Sequence, residues 1–86
     1  MPNDNDPRSQ FGLRLSEIRK NRGWSQERLA EKSGLARSYV GGVERGQRNI
    51  ALLNICRLAD ALDLPPSALL APPGIEADRR RSKAVA

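Results

Sequence analysis

Glycines at positions 23, 34 and 46 divide the middle of this chain into segments that leave room only for brief helices. A glycine ends a helix at little cost because it adopts the left-handed backbone of the C-terminal cap without strain. Ahead of Gly23, the residues Phe11, Leu15 and Ile18 recur at i, i+4 and i+7, which predicts a first helix from Gln10 to Arg22 with Ser9 as its cap. Ser25 is placed to cap a second helix that stops at Gly34, with Trp24 and Leu29 at the two positions of a hydrophobic staple. The capping box is incomplete, since Arg28 stands where glutamate or glutamine would close it. A third helix is expected from Arg37 to Arg45, ending at Gly46, and a fourth from Ile50 to Leu62 with Leu52, Ile55, Cys56, Ala59 and Leu62 on one face. Pro65 and Pro66 then open a last turn, Ser67 to Leu70. No alternating polar and apolar run is long enough for a strand, so the expected fold class is all-α.

The two ends read differently. Residues 1–8 and 72–86 carry proline and charge without an apolar rhythm, and are expected as flexible tails around a folded part at 9–71. The second tail is basic, with Arg79, Arg80, Arg81 and Lys83, and suits a solubilising end, a DNA-binding arm or a segment for a protein partner.

Composition narrows the chemistry. The 86 residues include no histidine and one cysteine, Cys56, which removes the commonest general base, the commonest metal ligand and any zinc cluster or disulfide framework. No enzymatic activity, cofactor or metal is expected. Cys56 lies in an apolar run and is expected to be a buried, reduced thiol. With no membrane-length apolar stretch and no signal-peptide segment, the expected compartment is the cytoplasm and no membrane partner is expected. Lys and Arg total 15 against 10 Asp and Glu, and the excess is unevenly placed. Residues 9–48 carry Arg14, Arg19, Lys20, Arg22, Arg28, Lys32, Arg37, Arg45 and Arg48 against Glu17, Glu27, Glu31 and Glu44. Residues 49–71 carry Arg57 against Asp60 and Asp63. The first stretch suits a polyanion and the second a packing or pairing surface.

The segment from Trp24 to Gly46, WSQERLAEKSGLARSYVGGVERG, resembles the helix-turn-helix of the Cro/CI-like, or XRE, family of repressors. Arg14-Leu15 and Ile18-Arg19 are similar to the family's first helix and Leu58 to Leu62 to a later element, so the resemblance spans about residues 11–70. It implies a compact five-helix, lambda-repressor-like domain. It also implies a transcription regulator, a repressor or controller protein, that binds a palindromic site on double-stranded DNA as a homodimer with the third helix in the major groove. Alternatives are an antitoxin-type autorepressor with a protein partner and an RNA-binding module, the latter disfavoured by the scarcity of stacking aromatics.

Roles follow by position. At 100° per residue, Ala36, Val40 and Val43 share the inner face of the third helix, while Ser38, Gly41, Gly42 and Arg45 point outward with Arg37 at the edge. Arg37, Ser38, Gly41 and Gly42 are therefore the expected base-contacting positions, with two mid-helix glycines that cost about 1 kcal/mol each. Ala36 supplies no capping acceptor. The resemblance implies backbone contacts by Gln26, Tyr39, Arg45, Gln47, Arg48 and Asn49, and a structural pair between Arg19 and Glu44. Leu53, Leu69 and Leu70 are apolar in excess of a small core and are expected to form a two-fold seam.

Overall fold

The computed structural model describes residues 6–74. These form helices and turns with no strand, in the order α1 (Pro7–Asn21), α2 (Gln26–Ser33), α3 (Arg37–Glu44), α4 (Leu52–Ala61) and α5 (Pro66–Leu69).

The first helix starts earlier than expected, so residues 7 and 8 belong to the folded part. Asp6 is the N-cap, its carboxylate accepting the Arg8 backbone N–H at 2.8 Å, and Pro7 occupies the first helical position. A proline there loses no hydrogen bond and is already set to helical φ, so Asp6-Pro7 starts the helix and does not mark a tail. Ser9 accordingly lies inside α1 instead of capping it.

The second helix follows the expectation: the Ser25 hydroxyl accepts the Arg28 N–H at 3.0 Å, and Gly34 ends the helix at φ 74°. In α3 the cap residue Ala36 makes no side-chain hydrogen bond, and Gly46 turns the chain at φ 76°. The fourth helix is shorter than predicted and rotated: its buried stripe is Ile55, Leu58, Ala59 and Leu62, whereas Leu52, in the first turn, is exposed and Cys56 is only half-buried.

One apolar core joins the helices, built from Phe11, Leu15 and Ile18 of α1, Leu29 and Ala30 of α2, Val40 and Val43 of α3, the α4 stripe, and Leu69. Each fully buried leucine contributes about 1.5–3 kcal/mol by leaving water. Helix α1 also ties the helix ends around it. Arg14, wholly buried, donates to the Ala68 carbonyl at 2.8 Å, and Arg22 donates to the Leu62 carbonyl. Both acceptors lie at helix C-termini, where carbonyls lack partners within the helix. Arg14 and Arg22 were counted in the basic footprint, but they hold α4 and α5 to α1.

The crossing of α1 and α3 is close. A Cβ on Gly12 would sit 2.5 Å from the carbonyl oxygens of Val43 and Glu44, so only glycine permits this separation. The start of the expected C-terminal tail is held as well, the Gly74 N–H donating to both Glu17 carboxylate oxygens at 2.9 Å. Arg79, Arg80, Arg81 and Lys83 lie outside the described residues.

Candidate nucleic-acid interface

A buried charge fixes the orientation of α3. The Glu44 carboxylate accepts from Arg19 Nε at 2.7 Å and Nη2 at 3.0 Å, a two-pronged contact, with the Glu44 side chain 6% exposed. The third arm of the guanidinium, Nη1, donates to the Trp24 carbonyl at 2.7 Å. Arginine suits this position because its planar fork satisfies a carboxylate and a carbonyl at once. The hydrogen bond to Glu44 raises the Arg19 pKa above its ordinary value, against the opposing effect of burial.

Gln26, in the first turn of α2, joins the same carboxylate, its Nε2 donating to Glu44 Oε1 at 3.0 Å. One carboxylate thus ties together α1, the beginning of α2 and the end of α3. The two partly exposed helix starts that face outward, at Gln26 and at Arg37, are fixed relative to one another.

Arg37 and Ser38 are exposed in the first turn of α3. Gly41 and Gly42, expected among the base-contacting positions, are both buried beneath long side chains. A Cβ on Gly41 would lie 3.1 Å from Arg45 Nη1 and 3.4 Å from Gln26 Oε1, and one on Gly42 would lie 3.2 Å from Arg48 Cγ. A helical wheel cannot show that Arg45 and Arg48, which follow the helix, fold back across them.

Around these glycines the remaining candidates form two groups. Arg45 Nε donates to Gln47 Oε1 at 3.2 Å, beside Gln26. The Arg48 guanidinium carbon lies 5.5 Å from the Tyr39 ring centre, and the Tyr39 hydroxyl accepts from Asn54 Nδ2 at 3.1 Å. Asn49 is exposed in the loop that follows. Asn54 was not legible in the sequence, because nothing in its neighbourhood along the chain points to a tyrosine fifteen positions earlier.

Leu53 and Leu70 are each 62% exposed. Leu69 corrects the expected seam: it is fully buried in the core. Leu52, expected on the core face of its helix, is 71% exposed. Among the described residues no helix is long and apolar enough to cross a membrane, and no three His, Cys, Asp or Glu side chains gather as metal ligands.

Known proteins share this fold. The restriction-modification controller protein C.AhdI from Aeromonas hydrophila is 61% identical over 72% of this chain and 94% of its own, with a TM-score of 0.71. The hypothetical transcription factor NHTF from Neisseria is 42% identical over 91% of this chain and 90% of its own, with a TM-score of 0.78. The controller protein C.Esp1396I, solved as a tetramer in complex with its natural 35 base-pair operator, is 29% identical over 77% of this chain and 87% of its own, with a TM-score of 0.70. A family model described as Helix-turn-helix, HTH_3, matches residues 15–69. The chain belongs to the HTH_3 helix-turn-helix family.

Proposed function

We propose that this protein is a sequence-specific, double-stranded DNA-binding transcription regulator that binds a palindromic operator as a homodimer, with α3 in the major groove. The observation that carries this reading is the fixed α3. Its first turn presents Arg37 and Ser38 to solvent while Glu44, at its other end, is locked to α1 and α2.

Arg37 reads base edges, since a guanidinium bonds bidentately to O6 and N7 of guanine, and Ser38 contacts the neighbouring base. Gly41 and Gly42 lie beneath Arg45 and Arg48 and leave room for those side chains beside the groove. Gln26, Tyr39, Arg45, Gln47, Arg48 and Asn49 contact the sugar-phosphate backbone and set the register, with the free N–H groups at the start of α2 adding to the hold on a phosphate. Exposed Leu53 and Leu70, joined by Leu52, pair two copies so that their α3 helices stand about 34 Å apart on one face of the duplex. The identity to C.AhdI favours a controller-type regulator over an antitoxin.

Selection of bound sequences from random duplex DNA tests the proposal. A palindrome is expected, and Arg37→Ala should flatten preference at one position per half-site while weakening that site by about 1–3 kcal/mol. Recovery of no common sequence, or equal losses on selected and random duplexes, would refute it.

A further inference from the structure

Arg48 follows α3 in an exposed loop, where an arginine ordinarily samples many rotamers and loses that freedom on binding. Here it has a seat on two sides. Its stem lies against the open face of Gly42, with Cγ 3.2 Å, Nε 3.3 Å and Cδ 3.8 Å from the place a Cβ would take. Its guanidinium stands over the Tyr39 ring, 5.5 Å from the centre. The ring is itself anchored from α4, through the hydrogen bond that Asn54 donates to the Tyr39 hydroxyl. A mid-helix glycine weakens its helix, so Gly42 is not explained by local stability, and the bond from Asn54 holds the half-buried Tyr39 ring in one place. Both converge on one side chain.

We propose that Gly42, Tyr39 and Asn54 together position Arg48 for its contact with the DNA backbone. Asn54, outside the helix-turn-helix, is thereby a positioning residue for DNA binding. This rests on the DNA-binding reading above and adds to it the device that orders one of its contacts before DNA arrives. Binding to an already ordered side chain avoids the entropic cost of immobilising it.

The test uses the full chain, a duplex obtained by selection from a random library, and a scrambled duplex of the same composition, each titrated across a salt series. Arg48→Ala should weaken both duplexes and reduce the slope of log K against log salt by about one. Asn54→Ala and Gly42→Ala should each weaken both by about two- to ten-fold with the slope unchanged, because the charge is kept and only its placement is lost. In the Arg48→Ala background neither should weaken binding further, and Gly42→Ala should melt no lower than the wild type. Wild-type affinity in both variants, or losses that add fully to that of Arg48→Ala, would overturn the positioning role while leaving the DNA-binding reading intact. A wild type that selects no duplex would overturn both.

Discussion

Glu44 ties α1, α2 and α3 together through a single carboxylate. It accepts from Arg19 twice and from Gln26 once, nearly out of contact with water. Glu44→Ala would leave a buried guanidinium facing no carboxylate, and stranding one partner of such a pair costs more than the pair is worth. A loss of about 3 kcal/mol in thermal unfolding is expected, with DNA affinity falling alongside it. An unchanged melting temperature would mean that water replaces the carboxylate without penalty. Arg19 and Glu44 were legible in the sequence only through the family resemblance, because they stand 25 positions apart. Arg14 was misread for a related reason: a count of charge does not say which charges face water. Its acceptor, the Ala68 carbonyl, lies 54 positions away.

The helices show the same division. Their number, order and glycine stops follow from local chemistry and were legible; what depends on two elements meeting was not. At the start of α1 the Asp6 carboxyl is held down to about 2 from 3.8, chiefly by the hydrogen bond from the Arg8 side chain and next by that from the Arg8 backbone. A value lower in the folded state than in the unfolded one means the cap stabilises α1 above about pH 4 and loses its effect as pH falls through about 2. Asp6→Ala should therefore be less stable than wild type at neutral pH, and denaturant titrations should show the gap closing between about pH 4 and pH 2. A gap independent of pH would exclude the carboxylate as its source. Two glycines, Gly12 at the α1 and α3 crossing and Gly42 beneath Arg48, have opposite consequences. Helix propensity alone predicts that alanine at either Gly12 or Gly42 stabilises by about 1 kcal/mol. At Gly12 the new methyl would meet backbone carbonyl oxygens at 2.5 Å, which cannot yield without moving α3, and a net loss of about 1–3 kcal/mol in melting experiments is expected. At Gly42 the neighbour is the flexible stem of Arg48, which can move aside. The sequence gives no hint of this difference, since both glycines sit inside helices and the distinction lies in what faces them.

For the whole molecule, the decisive contrast is between two adjacent leucines. A fold of about 60 residues buries only about 60% of its unfolded surface, so its core tolerates little loss and gains from a partner. The expected seam combined Leu53, Leu69 and Leu70, and in a helix as short as α5 each step of about 100° turns a side chain from core to surface. That rotation puts Leu69 inside and Leu70 outside, a difference that no periodicity over so few residues could resolve. The two substitutions should then fail in different ways. Leu69→Asp places a charge in the core and should unfold the domain, seen as lost helical circular dichroism. Leu53→Asp with Leu70→Asp adds charge where water already reaches, so the monomer should keep its helices and core. In a two-fold contact each substitution acts on both chains, so the pair is disrupted from both sides. The double variant should sediment as a monomer and bind a half-site nearly as well as wild type. It should bind the full palindrome far more weakly, because the second half-site is no longer tethered to the first. A wild type that sediments as a monomer at tens of micromolar, free and on DNA, would leave these leucines without a partner copy. A double variant that keeps wild-type affinity for the palindrome would move the pairing surface elsewhere.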